Sequence, residues 1–556
     1  MRFEYALAIV TSAALSIGHG HIGSLFGRSL LMRETAQADL RGARAPEKVV
    51  PKAITLIIPP SAFLLDERVF MFLGVLRIAA VLRAAGAEVG VLDLSGVKNY
   101  LETVEYFVAH SDATLFGITA TTPQMPAVAG IVNVLRQKKP GSKIILGGPH
   151  VTLVNAAAKG EAKRNAQFRR AATHMQELGE LFDVLVAGDG EEAIFEACHP
   201  GAPKLIDADE PSSDLFLTNE KLEELPWPAR DLVDAASYRY TIEGFPAISL
   251  IAQLGCPFGC RFCGGRKSSM LRRIRTRTTE DIVAEMEHLW RTTGKTGFMF
   301  YDDELNVNKE LVGLMKAIAR KQEELGVEWR LRGFIKAELF NEEQAAAMYA
   351  AGFRWILVGF ESGSPRILKN IHKQATAEDN TRCLQIAQKH GIKVKALMSV
   401  GHPGETEATI EETRQWLLAQ KPNDFDVSLI TCYPGTPYYD DAEPVDPAHP
   451  EGPWVYTVPL RGGGTGDRLY LDAFDPLAKA YYYKGDPEGG YQSYVYTDTL
   501  SREDLVRLRG DLEDGVRALL NIPFNPGAPG ITFEHSMGMP GPNILRVGNL
   551  TQSSTA

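Results

Sequence analysis

The chain has 556 residues, of which 45% are hydrophobic and 23% are charged. This composition is ordinary for a globular protein, and the length is sufficient for about three or four domains. The formal net charge of −10 argues against nucleic-acid binding through a broad basic surface, and six cysteines, three of them clustered, argue against a disulfide framework.

The first 51 residues are treated as an N-terminal segment because no regular pattern of elements begins before residue 52. Residues 5–17 are apolar and follow a single basic residue, Arg2, as in a weak signal peptide. The stretch is too short to predict a membrane span. A packing helix, a membrane-surface contact and a wrongly assigned start codon remain open as interpretations.

Residues 52–199 alternate between short apolar runs and helical patterns. This alternation predicts a doubly wound, Rossmann-like parallel sheet. A basic, Ala-rich helical stretch at 155–180 is interpreted as a solvated insertion, and residues 200–240, which begin rich in Pro, Asp and Ser, as a linker. The predicted strands are 53–59, 88–94, 112–119, 143–146 and 182–187, with helices at 70–85 and 125–137.

A second α/β series covers residues 241–440. Six strand and helix units predict a partial (β/α)6 barrel of the TIM type, with its chemistry at the carboxyl ends of the strands. One of the helices is predicted to be capped by Thr279. The predicted strands are 249–253, 297–301, 329–334, 355–360, 394–400 and 426–431.

The C-terminal region, residues 441–556, is predicted to be small and α-rich. Its pattern is irregular and aromatic-rich, including the tyrosines at 481–483. One amphipathic helix is predicted over 501–520, capped by Ser501 and Asp504. From residue 525 onward Gly and Pro dominate, which favours an extended or disordered end.

Three cysteines follow the first strand of the barrel. Cys256, Cys260 and Cys263 have the spacing C-x3-C-x2-C. A four-iron cluster normally takes four cysteines, so three would leave one iron open to a substrate or cofactor. A zinc knuckle is less favoured, because zinc takes four ligands and no His lies within ten residues of the triplet. Cys198, Cys383 and Cys432 are isolated and are interpreted as small buried residues.

The cysteine spacing and its Gly, Pro and aromatic neighbours resemble the signature of the radical S-adenosylmethionine (SAM) superfamily. The resemblance implies a [4Fe–4S] cluster whose open iron binds the amino and carboxylate groups of SAM. An electron from the cluster then cleaves SAM to a 5′-deoxyadenosyl radical. It also implies an electron donor such as flavodoxin or ferredoxin, and the oxygen-sensitive cluster favours a cytoplasmic location.

Polar motifs at the carboxyl ends of successive predicted strands strengthen this resemblance. Residues 359–363 are similar to the G-x-E-S-G element of the family, and residues 401–406 to its G-x-P-G-E-T turn. Taken alone, each motif also fits an ordinary turn or helix cap. The SAM-binding residues implied by the resemblance are Phe262, Asp302, Glu304, Arg332, Glu361, Ser362, Gly401 and Tyr433.

Three loops of the N-terminal sheet resemble the cobalamin-binding domain that is fused to many radical SAM enzymes. Glycines after the fourth and fifth strands allow a ligand to approach the backbone closely, and open α/β sheets bind ligands at this edge. The cobalamin-binding residues implied by the resemblance are Thr119, Thr121, Thr122, Gly147, Gly148, Pro149, His150, Gly188, Gly190 and Glu191.

One feature departs from that family. Many cobalamin-binding domains carry D-x-H-x-x-G after the first strand, whereas this chain has Pro59, Pro60 and Ser61 there. His150 is interpreted as structural or as lying near the nucleotide tail. Either cobalamin binds without a His ligand to cobalt, or the domain has lost cobalamin.

Together these motifs resemble a cobalamin-dependent radical SAM enzyme. The activity most often implied is methylation of an unactivated carbon, or of a phosphinate phosphorus, in a small molecule. An oxidative cyclase or ring-rearrangement enzyme uses the same parts and remains an alternative. An alternative of another class is a cobalamin-binding sensor or scaffold with a vestigial barrel, which the intact cysteine triplet opposes.

Overall fold

The computed structural model describes residues 48–61, 67–460, 464, 466–472 and 491–523. The predictions for residues 5–17, 481–483 and the chain from residue 525 fall outside these ranges. Residues 49–556 belong to one compact unit. None of the helices in the described ranges is long and apolar enough to cross a membrane.

The N-terminal domain is a parallel sheet, as predicted, with helices in the connections and six strands instead of the five expected. The strands are β1 (Ala53–Ile58), β2 (Glu88–Asp93), β3 (Leu115–Thr119), β4 (Lys143–Gly147), β5 (Val184–Gly188) and β6 (Leu205–Ala208). The helices are α1 (Leu73–Ala84), α2 (Tyr100–Ala109), α3 (Met125–Lys138), α4 (Pro149–Lys163), α5 (Arg170–Leu181) and α6 (Gly190–Cys198). The strand order β2-β1-β3-β4-β5-β6 reverses direction between β1 and β3, and the crevice outside this point is where such sheets bind ligands.

Two predictions for this domain were wrong. The stretch predicted as a linker contains β6, which pairs in parallel with β5. The stretch predicted as a solvated insertion is part of the α4 and α5 crossover that two parallel strands need. Ala157 of α4 and Leu178 of α5 lie within this stretch and are 1% and 0% exposed, so this crossover is part of the core.

The second domain is a seven-stranded sheet whose six parallel strands confirm the predicted partial barrel. Its strands are β7 (Thr241–Ile242), β8 (Phe245–Leu250), β11 (Gly297–Phe300), β12 (Arg330–Ile335), β13 (Phe353–Glu361), β14 (Lys393–Val400) and β15 (Asp424–Leu429), and β9 (Gln253–Leu254) and β10 (Arg275–Thr276) form a separate pair. The helices around it are α7 (Asn219–Glu224), α8 (Ser269–Arg272), α9 (Thr279–Thr293), α10 (Leu311–Leu325), α11 (Glu342–Ala350), α12 (Pro365–Asn370), α13 (Ala377–Lys389) and α14 (Glu407–Gln420). The cap of α9 is Thr278 rather than Thr279, because the Thr278 hydroxyl accepts a hydrogen bond from the Asp281 amide.

The C-terminal region is not simply α-rich. It contains a four-stranded antiparallel sheet of β16 (Glu443–Pro444), β17 (Trp454–Thr457), β18 (Arg468–Leu471) and β19 (Val495–Thr497). The other elements are α15 (Pro437–Asp440) and α16 (Arg502–Leu520). The cap predicted for α16 is confirmed, since Ser501 and Asp504 form a capping box. Arg517 of α16 pairs with Asp424 and Asp426 of β15, which anchors the helix beside the sixth parallel strand.

One hydrophobic core joins the two domains. It runs without interruption from Ile54 in β1 to Val516 in α16. A buried salt bridge crosses the same interface, with Arg275 of β10 2.6 Å from Asp189 at the start of α6. The carboxyl ends of the N-terminal sheet are therefore held in a fixed position relative to the segment that carries the cysteines.

Candidate active site

The cysteine loop lies between β9 and α8 and is held closely by its surroundings. Gly255 has φ +86°, and a Cβ on it would lie 2.2 Å from the Arg273 carbonyl oxygen. The Cys256 amide donates to the Leu271 carbonyl at 2.9 Å. Only glycine fits at this entry point, so the sequence fixes the path by which the chain reaches the first cysteine.

The electrostatics of the loop fit a metal cluster. Burial raises the pKa of the Cys263 thiol to about 12, although Arg266 partly opposes this, and the charges of Cys256 and Cys260 raise it further. Arg266 also donates to the carbonyls of Cys256 and Phe258. Without a metal the Cys263 thiol stays protonated, whereas a cluster would bind it as a thiolate.

No three His, Cys, Asp or Glu side chains in the described ranges are arranged to hold a single metal ion. In a four-iron cluster each cysteine binds a different iron, so its ligands need not converge on one point. A site with three thiols and no fourth ligand in the loop suits such a cluster better than a lone zinc ion.

A cavity of about 460 Å³ opens at the carboxyl ends of β13, β14 and β15, and we call it the barrel cavity. Glu361 is its only charged lining residue among those described, and Phe262 beside Cys263 forms part of its wall. Residues of the N-terminal domain close it from the other side. Its lining includes Thr121, Thr122, Pro149, Phe262, Glu361, Ser399 and Tyr433.

Glu361 is held by two neighbours that sequence reasoning did not identify. Lys373 donates to one carboxylate oxygen at 3.1 Å, and Ser399 donates to the other at 2.8 Å. Burial opposes ionisation, but Lys373 and Ser399 hold the pKa of Glu361 below its usual value. Glu361 also has φ 66°, a strained conformation for a residue other than glycine and one that is concentrated at functional sites.

Glu361 is the last acceptor in a chain of hydrogen bonds, in which each group donates to the next one toward the carboxylate. Because Ser399 donates to the carboxylate, Nε2 of His402 must donate to the Ser399 hydroxyl, 2.8 Å away. The other ring nitrogen, Nδ1, then accepts from the Tyr438 hydroxyl at 3.3 Å. Burial lowers the pKa of His402 to about 4, so the ring is neutral and suited to this role.

The structure does not bring all predicted SAM residues to the barrel cavity. Asp302 accepts hydrogen bonds from the amides of Ala252 and Gln253, so it fixes the exit of β8, and burial raises its pKa to about 7. Arg332 lies in mid-strand and donates to the Tyr240 hydroxyl at 3.1 Å.

Three further predicted SAM residues also stand outside the lining of this cavity. The Ser362 hydroxyl is 3.0 Å from the Thr413 hydroxyl. Gly401 has φ +97°, and a Cβ on it would lie 3.3 Å from Val495 of β19. Burial raises the pKa of Glu304 to about 7.

A second cavity, of about 320 Å³, lies between the two domains, and we call it the interdomain cavity. Its N-terminal wall contains seven of the ten predicted cobalamin residues, namely Thr119, Gly147, Gly148, Pro149, Gly188, Gly190 and Glu191. Its other wall comes from the barrel and includes Gln253, Leu254, Gly255, Tyr301 and Asp303.

Two glycines keep the interdomain cavity open. A Cβ on Gly74 would meet no atom within 4 Å, and one on Gly147 would meet only the Val186 carbonyl oxygen at 4.0 Å. Side chains there would project into the cavity. Gly148 and Gly188 are required for a different reason, since their Cβ atoms would collide with the protein's own backbone. Open space next to exposed backbone suits a large ligand such as cobalamin.

His150 is not at this cavity. It is completely buried, and its ring bonds to the Thr122 hydroxyl at 3.0 Å and to His174 at 2.9 Å. None of the described residues that line the interdomain cavity is a histidine. The arrangement agrees with the interpretation of His150 as structural.

Comparisons with known proteins match a part of each of the two domains. The family model of the radical SAM superfamily matches residues 250–417, and that of the B12 binding domain matches residues 70–168. The chain therefore combines a radical SAM domain with a B12-binding domain. The cofactors of these domains are a [4Fe–4S] cluster, SAM and cobalamin.

Individual relatives are similar over much of the chain. An uncharacterized methyltransferase of Pyrococcus horikoshii is 26% identical over 406 residues, which are 70% of this chain and 83% of that protein. An anaerobic magnesium-protoporphyrin IX monomethyl ester cyclase of Cereibacter sphaeroides is 23% identical, over 63% of this chain and 58% of that protein. The methyltransferase TsrM of Kitasatospora setae, solved with tryptophan and a SAM analog, shares the fold at a TM-score of 0.60 and 20% identity, covering 86% of this chain and 92% of TsrM.

Proposed function

We propose that this enzyme is a cobalamin-dependent radical SAM methyltransferase that acts on an unactivated carbon or a phosphorus of a small molecule. The observation that supports the proposal most directly is that the interdomain cavity and the barrel cavity are adjacent. Pro149 lines both, so the site assigned to cobalamin adjoins the site assigned to SAM. Methyl transfer between two cofactors requires this proximity.

The cofactors supply the reactive chemistry: the cluster gives the electron that cleaves SAM, and cobalamin carries the methyl group. The chain's own residues hold and orient them. Cys256, Cys260 and Cys263 would hold the cluster. Glu361, fixed by Lys373 and Ser399, would bind SAM.

Other SAM contacts remain part of the proposal. Phe262 and Tyr433 border the barrel cavity and would pack against SAM. Asp302 and Ser362 would act through the loops that they fix.

On the cobalamin side, Gly74 and Gly147 would leave room for the ligand, and Gly148 and Gly188 would shape the strand ends. Cobalt would have no His ligand, since the described cavity wall offers none and the sequence has no His from residue 22 to residue 109. An electron donor such as flavodoxin or ferredoxin and a cytoplasmic location complete the proposal.

The test is product analysis with methyl-deuterated SAM and the true substrate. Methyl transfer predicts S-adenosylhomocysteine and 5′-deoxyadenosine in about equal amounts, with the label in the product. The similarity to a cyclase supports a second candidate, oxidative cyclisation or ring rearrangement. That reaction would consume substrate and form 5′-deoxyadenosine without transferring the label, and this outcome would overturn the methyltransferase proposal.

A further inference from the structure

Exposed basic side chains surround the part of the cysteine loop that reaches the protein surface. The turn at 257–259 joins Cys256 to Cys260, and Pro257 at its start is exposed. We define the basic rim as the four exposed residues on the two segments that flank this turn: Arg272, Arg273, Lys369 and His372.

The rim contacts the turn from both segments. On one, Arg272 donates to the Pro257 carbonyl at 3.0 Å. On the other, Nδ1 of His372 lies 3.2 Å from the Gly259 carbonyl oxygen and donates to it. Arg273 follows Arg272 directly, and Lys369 lies one helical turn before His372. Basic residues are thus concentrated beside the exposed turn that joins two of the cluster's ligands.

The three charged residues of the rim, Arg272, Arg273 and Lys369, are not neutralised as other cations on the barrel are. None of the four rim residues forms an ion pair with a described carboxylate within 4.0 Å. Arg273 interacts electrostatically with Glu220, but the two side chains do not form an ion pair. By contrast, Arg291 and Lys321 on the outer helices both pair with Glu287.

The positive charge of the basic rim contrasts with the negative net charge of the whole protein. The whole chain carries a formal net charge of −10, so its average field repels an acidic partner. A local basic patch would direct such a partner to one place, because electrostatic steering raises association rates and fixes orientation.

We propose that the basic rim is the docking surface for an acidic electron-transfer protein. The inference rests on the proposed function, in which the cluster must be reduced before SAM is cleaved. One electron passes from the reduced carrier to the cluster, so the carrier is oxidised by one electron and the cluster is reduced by one. No bond is formed or broken and no proton is needed in this step.

The experiment measures the rate of cluster reduction in the reconstituted holoenzyme, followed by bleaching of the cluster's visible absorption. The donor is a photoreduced acidic flavodoxin. The variant is Arg273→Glu/Lys369→Glu, because neither side chain hydrogen-bonds to the cysteine loop. The matched control is Lys316→Glu/Arg320→Glu on α10, which changes the charge of two exposed side chains by the same amount.

At an ionic strength of about 0.02 M we expect the rim variant to be reduced at least about tenfold more slowly than wild type, and the control variant to be unchanged. At about 0.5 M the difference should largely disappear, since salt screens the interaction. Reduction by dithionite should be the same in all three proteins.

Equal rates with flavodoxin at low salt would overturn the proposal. Equal slowing with dithionite would also overturn it, because it would show damage to the cluster rather than lost docking. A rim variant that loses affinity for a short DNA duplex, but not for flavodoxin, would assign the patch to polyanions instead. Bleaching of the cluster does not depend on methyl transfer. The result can therefore be interpreted even if the enzyme proves not to be a methyltransferase.

Discussion

The two sheets of this protein use their carboxyl ends in different ways. In the N-terminal sheet the ends of β4 and β5 present glycines, and Gly147 leaves open space. In the barrel the corresponding ends present ionisable side chains, with Glu361 fixed by Lys373 beside the cysteine loop. One sheet therefore has open space and bare backbone at this edge, and the other has fixed charges and a loop with three thiols.

The largest effect should come from the cysteine loop. Replacing Cys256, Cys260 and Cys263 together by Ala should abolish iron binding and SAM cleavage, because no other described side chains could replace the thiolates. Iron content after anaerobic reconstitution is the measurement. Cys198→Ala, which removes an isolated buried thiol, should keep its iron. A normal cluster spectrum in the triple variant would contradict the assignment.

In the N-terminal sheet, replacing a glycine should lower the stability of the folded protein. In Gly188→Ala the new Cβ would lie 2.3 Å from the Ala208 carbonyl carbon, at φ +97°. We expect the free energy of unfolding to fall by about 2–5 kcal/mol, from overpacking and the left-handed backbone together. Gly86→Ala, at φ +100° with open space around it, should cost only about 1 kcal/mol. Denaturant unfolding of both variants measures the difference, and equal losses would show that packing at β5 is not limiting.

In the barrel, the ion pair between Lys373 and Glu361 can be removed without changing the N-terminal sheet. Lys373→Met would leave the Glu361 carboxylate buried without its cation, which should cost about 3 kcal/mol of stability and weaken SAM binding by at least about tenfold. Lys389→Met breaks a pair whose side chains are 67% and 50% exposed, so it should change stability by less than about 1 kcal/mol. Calorimetric titration with SAM and urea unfolding test the two expectations. Unaltered SAM affinity in Lys373→Met would remove Glu361 from the SAM site.

The smallest effect concerns His150 behind the N-terminal loops. Burial and the neighbouring His174 lower its pKa well below the usual 6.5. Below pH 6.5 the unfolded chain therefore binds a proton that the native protein does not, and stability falls as the pH falls. Between pH 7.5 and 5.5, wild type should lose about 1 kcal/mol more than His150→Gln. His449→Gln, at an exposed site, should behave as wild type, and parallel curves for all three proteins would refute this account of His150.

The sequence was sufficient for the features that depend on local patterns. Apolar runs separated by helices predicted the strands of both sheets, and the close spacing of three cysteines predicted the loop after β8. It was insufficient where short elements have weak patterns. The four residues of β6 lie in a stretch rich in Pro and Asp and gain their strand conformation from pairing with β5.

Partners that are distant in sequence were also missed. Lys373 follows Glu361 by twelve residues, across a turn, an α-helix and a second turn, and nothing in the local pattern pairs them. The Arg275–Asp189 salt bridge joins the two domains over 86 residues. Such contacts depend on how the domains pack, so they can be found only once the shared core is known. By contrast, the glycine at 147 was identified, because a glycine directly after a buried strand is a local signal.

The central claim is that cobalamin and SAM occupy neighbouring cavities that share Pro149, beside the loop whose cysteines would hold the cluster. Cob(II)alamin and the reduced cluster are both paramagnetic, so their proximity can be measured by electron paramagnetic resonance of the reconstituted protein without any substrate. We predict a cob(II)alamin signal without nitrogen superhyperfine splitting from an imidazole, whose relaxation is faster when the cluster is reduced. This acceleration should vanish in the triple cysteine variant. A signal that shows imidazole splitting, or relaxation that is the same with and without the cluster, would contradict the account.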